Sequence, residues 1–271
     1  VGHEQLCFSR NSGGGWAARD DVPVVDDGAV GFIIGSPHMA EYAGNPTIVY
    51  SYGDVEANNI IKHKTTTDGG VTWLSVATGI AMSGGNNVLH NCLRIATTNS
   101  ILNLCFTRNV GGTPTIYYSY YNGAAWTNVG AYPNAAHAVS DGFDLISYED
   151  PVNYPGSGTV PVLIHRNLVL PATSNNAIRW SYTPDLGASW TSTRAIAIAA
   201  NIPSVINLRG ITTQEERGTC VTVSWYGGTG VSKDRVCASH IYTSLFASPG
   251  IGSWSSVEVT GSIPATEIDT I

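Results

Sequence analysis

The chain has 271 residues with 20 acidic against 13 basic side chains, a formal net charge of −7, and only 12% charged residues. That acidic balance, with no basic run, argues against nucleic acid or an anionic membrane as partner, and no segment approaches the ~20 consecutive apolar residues of a membrane-spanning helix. Glycine, serine, threonine, asparagine, tyrosine and tryptophan are plentiful and no long 3.6-residue apolar period occurs, which favours short strands joined by polar turns in a chain long enough for a substantial core.

The chain begins at Val1 without Met and without a charged-then-apolar leader, and is expected to be a mature or excised piece of a longer product. Leu6-Cys7-Phe8-Ser9-Arg10-Asn11 matches Leu104-Cys105-Phe106-Thr107-Arg108-Asn109, so both are expected to be a second strand running into its loop. Asp26-Asp27-Gly28 suits a β-turn, with part of a calcium cage or a pair of catalytic carboxyls as the alternatives. A first four-strand unit follows: 29–35, 46–52, 59–64 and, beyond the turn at 66–73, 74–81. The second has strands at 88–96, 102–107 and 115–120, then the run Ser119-Tyr120-Tyr121-Asn122-Gly123-Ala124-Ala125-Trp126. The third has 143–148, 160–165 and 177–182, and the fourth 204–211, 220–225 and 235–241 with a longer turn ending at Trp254.

Two of the turns share a pattern, Thr66-Thr67-Asp68-Gly69-Gly70-Val71-Thr72-Trp73 and Thr183-Pro184-Asp185-Leu186-Gly187-Ala188-Ser189-Trp190, both T-x-D-x-G-x-[ST]-W. The Asp can accept backbone N–H groups across the turn, the Gly supplies a positive φ, and the Trp folds back as an apolar plug. The pattern resembles the Asp box (BNR repeat) of sialidase-like β-propellers, which implies a place between the third and fourth strands of a blade. In the run ending at Trp126, Tyr121 stands where the Asp belongs. The Trp plugs at 73, 126, 190 and 254 recur as propeller repeats with loop insertions would.

The expectation is one all-β domain over 1–271, a five-bladed propeller closed by its ends: 266–271 would be the inner strand of the last blade and 4–9 its second strand, leaving no free sheet edge. A six-bladed, incomplete ring is the alternative. Cys92 and Cys105 flank a hairpin; a two-residue turn at Thr98-Asn99 would set them opposite each other, either as a disulfide or as two core thiols. Cys220 and Cys237 are candidates to pair likewise, leaving Cys7 odd.

Binding loops are expected on the face away from the Asp boxes. Aligning the inner strands puts Gly31, His90, Asp144, Asn207 and Asp269 at one level around the axis, either a convergent polar pocket or a hydrated channel. The loops after the second strands begin with Tyr52 and Asp54, Arg108 and Asn109, His165 and Arg166, and Trp225 and Tyr226. That mixture of aromatic, guanidinium and amide groups suits sugars. The Arg-Ile-Pro motif that opens the sialidase catalytic signature is absent, and Arg94 and Arg209 fall well along the inner strands, facing blade interfaces. Asp144 with Asp269 is the candidate acid pair of a glycosidase, and the resemblance to arabinanase-type propellers is positional. The seven His show no metal spacing, and neither G-x-S-x-G nor a Gly-rich phosphate loop occurs, so no cofactor or metal is expected. The leading reading is a lectin-like or receptor-binding propeller that takes a glycan, extracellular or displayed on a virion or appendage. A sialidase-like or arabinanase-like glycoside hydrolase and a docking module of a larger assembly are the alternatives.

Overall fold

A computed structural model of the chain describes residues 6–9, 23–25, 33–53, 60–76, 87–110, 113–133, 142–149, 158–167, 177–191, 194–198, 206–215, 218–227, 235–242 and 255–259. Asp26-Asp27, the first part of the expected 29–35 strand, Trp254 and the expected closing strand at 266–271 lie outside these residues. Among the described residues every regular element is a β-strand.

The chain divides into two compact units, 1–131 and 132–271. In the first, β1 (Leu6–Cys7) pairs antiparallel with β2 (Pro23–Val25). A first meander then runs through β3 (Ile33–Tyr42), β4 (Asn45–Gly53), β5 (Ile60–Thr65) and β6 (Leu74–Ser75). A second runs through β7 (Asn87–Thr98), β8 (Ile101–Val110), β9 (Thr113–Tyr121) and β10 (Trp126–Ala131). The second unit repeats this plan. Its third meander is β11 (Phe143–Glu149), β12 (Thr159–Asn167), β13 (Ala177–Tyr182) and β14 (Arg194–Ile198), and its fourth is β15 (Ile206–Glu215), β16 (Gly218–Gly227), β17 (Arg235–Tyr242) and β18 (Ser255–Val259). Each meander is an antiparallel four-stranded sheet in chain order, matching the four-strand units the sequence predicts.

Burial follows position in the sheet. β4 is buried on both faces through its middle, as a strand covered from two sides must be, whereas β10, at a sheet edge, is mostly exposed. In the first unit Val49 and Ile61 pack with Leu93, Ile95, Leu102, Leu104 and Phe106 of the second meander. Leu6 and Phe8 pack with Ile48, Tyr50 and Trp73. In the second unit Ile146, Val162, Ile164, Ile178 and Trp180 meet Leu208, Val221 and Val223. Each such fully buried aliphatic side chain contributes about 1.5–3 kcal/mol.

One bonding pattern laces the paired inner strands in both units. Ile95 N–H donates to His38 Nδ1 at 3.3 Å and Thr97 Oγ1 to the Glu41 carbonyl, joining β7 to β3. At the same offsets, Gly210 N–H donates to Asp144 Oδ2 at 2.8 Å and Thr212 Oγ1 to the Ser147 carbonyl at 2.8 Å, joining β15 to β11. Arg94 and Arg209, one residue before each donor, bond the carbonyls of Leu93 and Leu208. Gly210 has no room for a side chain, since a Cβ there would lie 2.6 Å from Ile164 Cδ1 and 2.9 Å from Ile146 Cγ2.

The two T-x-D-x-G-x-[ST]-W turns share one geometry. Thr66 Oγ1 donates to Asp68 Oδ1 (2.8 Å) and accepts from Gly70 N–H (2.7 Å), while Asp68 accepts from both the N–H and the hydroxyl of Thr72. Thr183, Asp185, Gly187 and Ser189 repeat those four bonds. The bonds from Thr72 and Thr66 hold the Asp68 carboxyl well below the usual range. At Asp185 burial pulls upward, but the bonds from Ser189 and Thr183 outweigh it. Gly70 and Gly187 take φ of +96° and +89°, and Leu186 adopts +55° without a glycine's freedom. Trp73 meets Phe8 edge-on at 5.2 Å, Trp126 meets Tyr121 and His63, and Trp190 meets Tyr132.

Other expectations are corrected. The turn before Trp126 spans Asn122 to Ala125, and Asn122 Oδ1, not residue 121, accepts the N–H groups of Ala124 and Ala125. Tyr121 is a buried strand residue whose hydroxyl donates to the Gly123 carbonyl. The hairpin after β7 turns at Asn99-Ser100 (φ +48° and +62°), one residue later than expected, which sets the buried Cys105 opposite Arg94 and not opposite Cys92. Cys220 lies opposite Tyr242 and Cys237 opposite Trp225. Those rungs are about 17 Å apart at ~3.4 Å per residue, beyond the ~7 Å Cα limit of a disulfide.

Candidate functional site

Antiparallel pairing fixes which loops share an end of each sheet. Strand-two ends meet strand-one starts through Ile34 and Tyr52, Val88 and Arg108, Phe143 and His165, and Ile206 and Tyr226. The turns at 66–73 and 183–190 connect third to fourth strands at the other end of their sheets. In these two sheets the loops after the second strands and the turns after the third therefore lie at opposite ends.

In the first unit two cation–aromatic pairs stand at the loop end. Lys62 Nζ sits 3.4 Å from the Tyr52 ring centroid, bridging β5 and β4. Arg108 Cζ sits 4.6 Å from that of Tyr117, bridging β8 and β9. Phe106 stacks on the same Tyr117 at 5.9 Å and 26°. Arg108 is only 6% exposed, and its Nε is sealed from solvent with no acceptor among the described residues. Asn109 follows it in β8, opposite Asn87, and His90 lies in β7 within the register shift between Val88 and Leu93. Asp54 lies outside the described residues.

In the second unit the predicted residues of the third meander divide between its two faces. His165 and Ser181 flank Tyr132: the Tyr132 hydroxyl is 3.2 Å from His165 Nε2 and 2.7 Å from Ser181 Oγ, and all three residues are buried. On the opposite face, with Ile146 and Ile164, are Asp144 and Arg166, whose register sets them diagonally across β11 and β12. Asp144 is 4% exposed; its Oδ1 accepts Leu145 N–H at 2.9 Å and its Oδ2 accepts from Gly210. Burial lowers the Arg166 guanidinium from its ordinary range. Asn207, Trp225 and Tyr226 lie in β15 and β16, near the pairing of Ile206 with Tyr226, and Asp269 lies outside the described residues.

The bonding of the inner strands revises the expected ring of equivalent positions. Asp144 occupies the place in its unit that His38 holds in the first, each accepting an N–H from the next inner strand. Sequence reasoning missed Lys62, Tyr117 and Arg179, which all lie on third strands. Their signal was the two-residue alternation that lays Tyr117 beside Arg108 and sets Arg179 opposite His165. Among the described residues no group of three His, Cys, Asp or Glu is placed to hold a metal ion.

No protein-family model matches the chain, and no curated protein matches it. Solved structures of β-propeller fold do. A mutant of the α-L-arabinofuranosidase Arb93A from Fusarium graminearum, solved with an iminosugar inhibitor, is similar with TM-score 0.57 and 12% identity, over 94% of this chain and 70% of that one. The Aleuria aurantia lectin AAL, in complex with Fucα1-6GlcNAc, is similar with TM-score 0.53 and 13% identity over 98% and 74%. The β-1,2-mannobiose phosphorylase from Listeria innocua, in complex with β-1,2-mannobiose, is similar with TM-score 0.53 and 11% identity over 87% and 79%.

Proposed function

We propose that this protein is a carbohydrate-recognition β-propeller that binds a glycan on the loop ends of its blades. The paired cationic and aromatic side chains there, Lys62 with Tyr52 and Arg108 with Tyr117, carry the reading. They offer rings for sugar C–H faces and donors for hydroxyls, on strands that hold them fixed beside the loops. The sugars in the complexes of the lectin and the phosphorylase, which share the fold, agree with this reading. In the proposal the turns at 66–73 and 183–190 are Asp boxes, the four meanders are four blades of five, and β1 and β2 belong to a fifth completed by residues 266–271. The whole is one domain of a longer product, secreted or displayed on a virion or appendage.

Recognition without cleavage ranks ahead of hydrolysis because the described acid candidate, Asp144, has both oxygens engaged by backbone N–H groups. A glycan array, followed by incubation of each hit with the protein and chromatography of the products, tests this order. Binding with intact glycan is expected. Released sugar would make the protein a glycoside hydrolase, and a blank array would leave the docking-module reading in its place.

A further inference from the structure

We infer that Arg108 receives a negatively charged group of the ligand, so that the glycan taken at this rim is acidic; the inference rests on the carbohydrate reading above. Arg108 is 6% exposed, and its Nε is buried with no acceptor among the described residues. Burying a guanidinium without an acceptor carries a desolvation cost. The Tyr117 ring at 4.6 Å offsets only part of that cost.

Two inner-strand arginines differ. Arg94 and Arg209 donate to carbonyls of their own strands, although both are more exposed than Arg108. Phe106 stacks on Tyr117 and Tyr117 lies under Arg108, so the cation rests on a fixed aromatic support at the end of β8, beside the loop to β9. A held, planar guanidinium whose Nε has no acceptor among the described residues matches a two- or three-oxygen anion such as a sugar carboxylate or sulfate ester. The chain's net charge of −7 opposes this weakly, because exposed charges farther than about 8 Å are screened at physiological salt.

The test is isothermal titration of the full chain with an oligouronate, a sulfated oligosaccharide and the neutral counterpart of each, repeated with R108M and R108K. Wild type is expected to bind at least one anionic ligand about ten-fold more tightly than its neutral counterpart. R108M should erase that preference, weakening the anionic ligand about ten-fold more than its neutral counterpart, while R108K retains part of it. The two anionic arms tell carboxylate from sulfate. If R108M does not fold, R108Q takes its place. Equal binding of charged and neutral ligands, or a preference that survives R108M, overturns the inference and leaves the carbohydrate reading standing. Failure of the folded wild type to bind any of the four overturns both.

Discussion

Asp144→Ala tests whether the carboxylate on β11 is a structural strap. It accepts Gly210 N–H from β15 at 2.8 Å and Leu145 N–H at 2.9 Å, at a site 4% exposed. Hydrogen bonds to a charged acceptor contribute roughly 1.5–3 kcal/mol, and an orphaned buried donor costs roughly 1–3 kcal/mol. Ile146 and Ile164 crowd the half-buried Gly210. The expected loss is therefore about 2–4 kcal/mol for Asp144→Ala and about half that for Asp144→Asn, which keeps one acceptor oxygen. His38→Ala, removing a neutral acceptor from a 3.3 Å bond, should cost only about 1 kcal/mol. Urea denaturation followed by tryptophan fluorescence and circular dichroism measures all three. A loss below about 0.5 kcal/mol for Asp144→Ala, or a larger loss at His38, would refute the strap.

Two further outcomes are expected. His63 is 2% exposed, neither ring nitrogen has a partner among the described residues, and desolvation lowers its pKa from 6.5 to about 4. The folded state thus prefers the neutral ring: its contribution is intact above pH 6.5, falls as the pH drops from there to about 4, and levels off below. The full loss is about 3 kcal/mol; stability measured between pH 7.5 and 4 should show this fall in wild type and not in His63→Phe, and parallel curves would refute it. Gly70→Ala places a Cβ 2.6 Å from the Phe8 ring at a φ of +96°, for a combined cost of about 2–4 kcal/mol. In a Phe8→Ala background only the backbone share of about 1–2 kcal/mol should remain, so an undiminished cost there would show that the ring is not the obstacle.

The strand plan was legible because turn chemistry punctuates it: Asp68 and Asp185 with their glycines, and the alternation that buries Leu102, Leu104 and Phe106. Register was less legible. Thr98-Asn99 and Asn99-Ser100 are equally good two-residue turns, and a slip of one moves the partner of Cys105 from Cys92 to Arg94. The site suffered from a related cause. Register shifts interrupt β3 between Gly35 and His38, β7 between Val88 and Leu93, and β15 between Ile206 and Arg209, while β11 runs without one. Counting residues from strand starts therefore aligned Asp144 with His90 and Asn207, whereas its bonding aligns it with His38. No local pattern announces such a bulge, so the pairing had to be seen.

The lacing of β7 to β3 and of β15 to β11 also has a direction. In both units the strand made first carries the side-chain acceptor, His38 or Asp144, and the strand made later brings the N–H and the threonine hydroxyl. During synthesis from the N-terminus the acceptor is thus presented, solvated and waiting, before its donor exists. In each unit the second sheet would thus dock on a finished first sheet whose first strand already presents the acceptor that specifies its register.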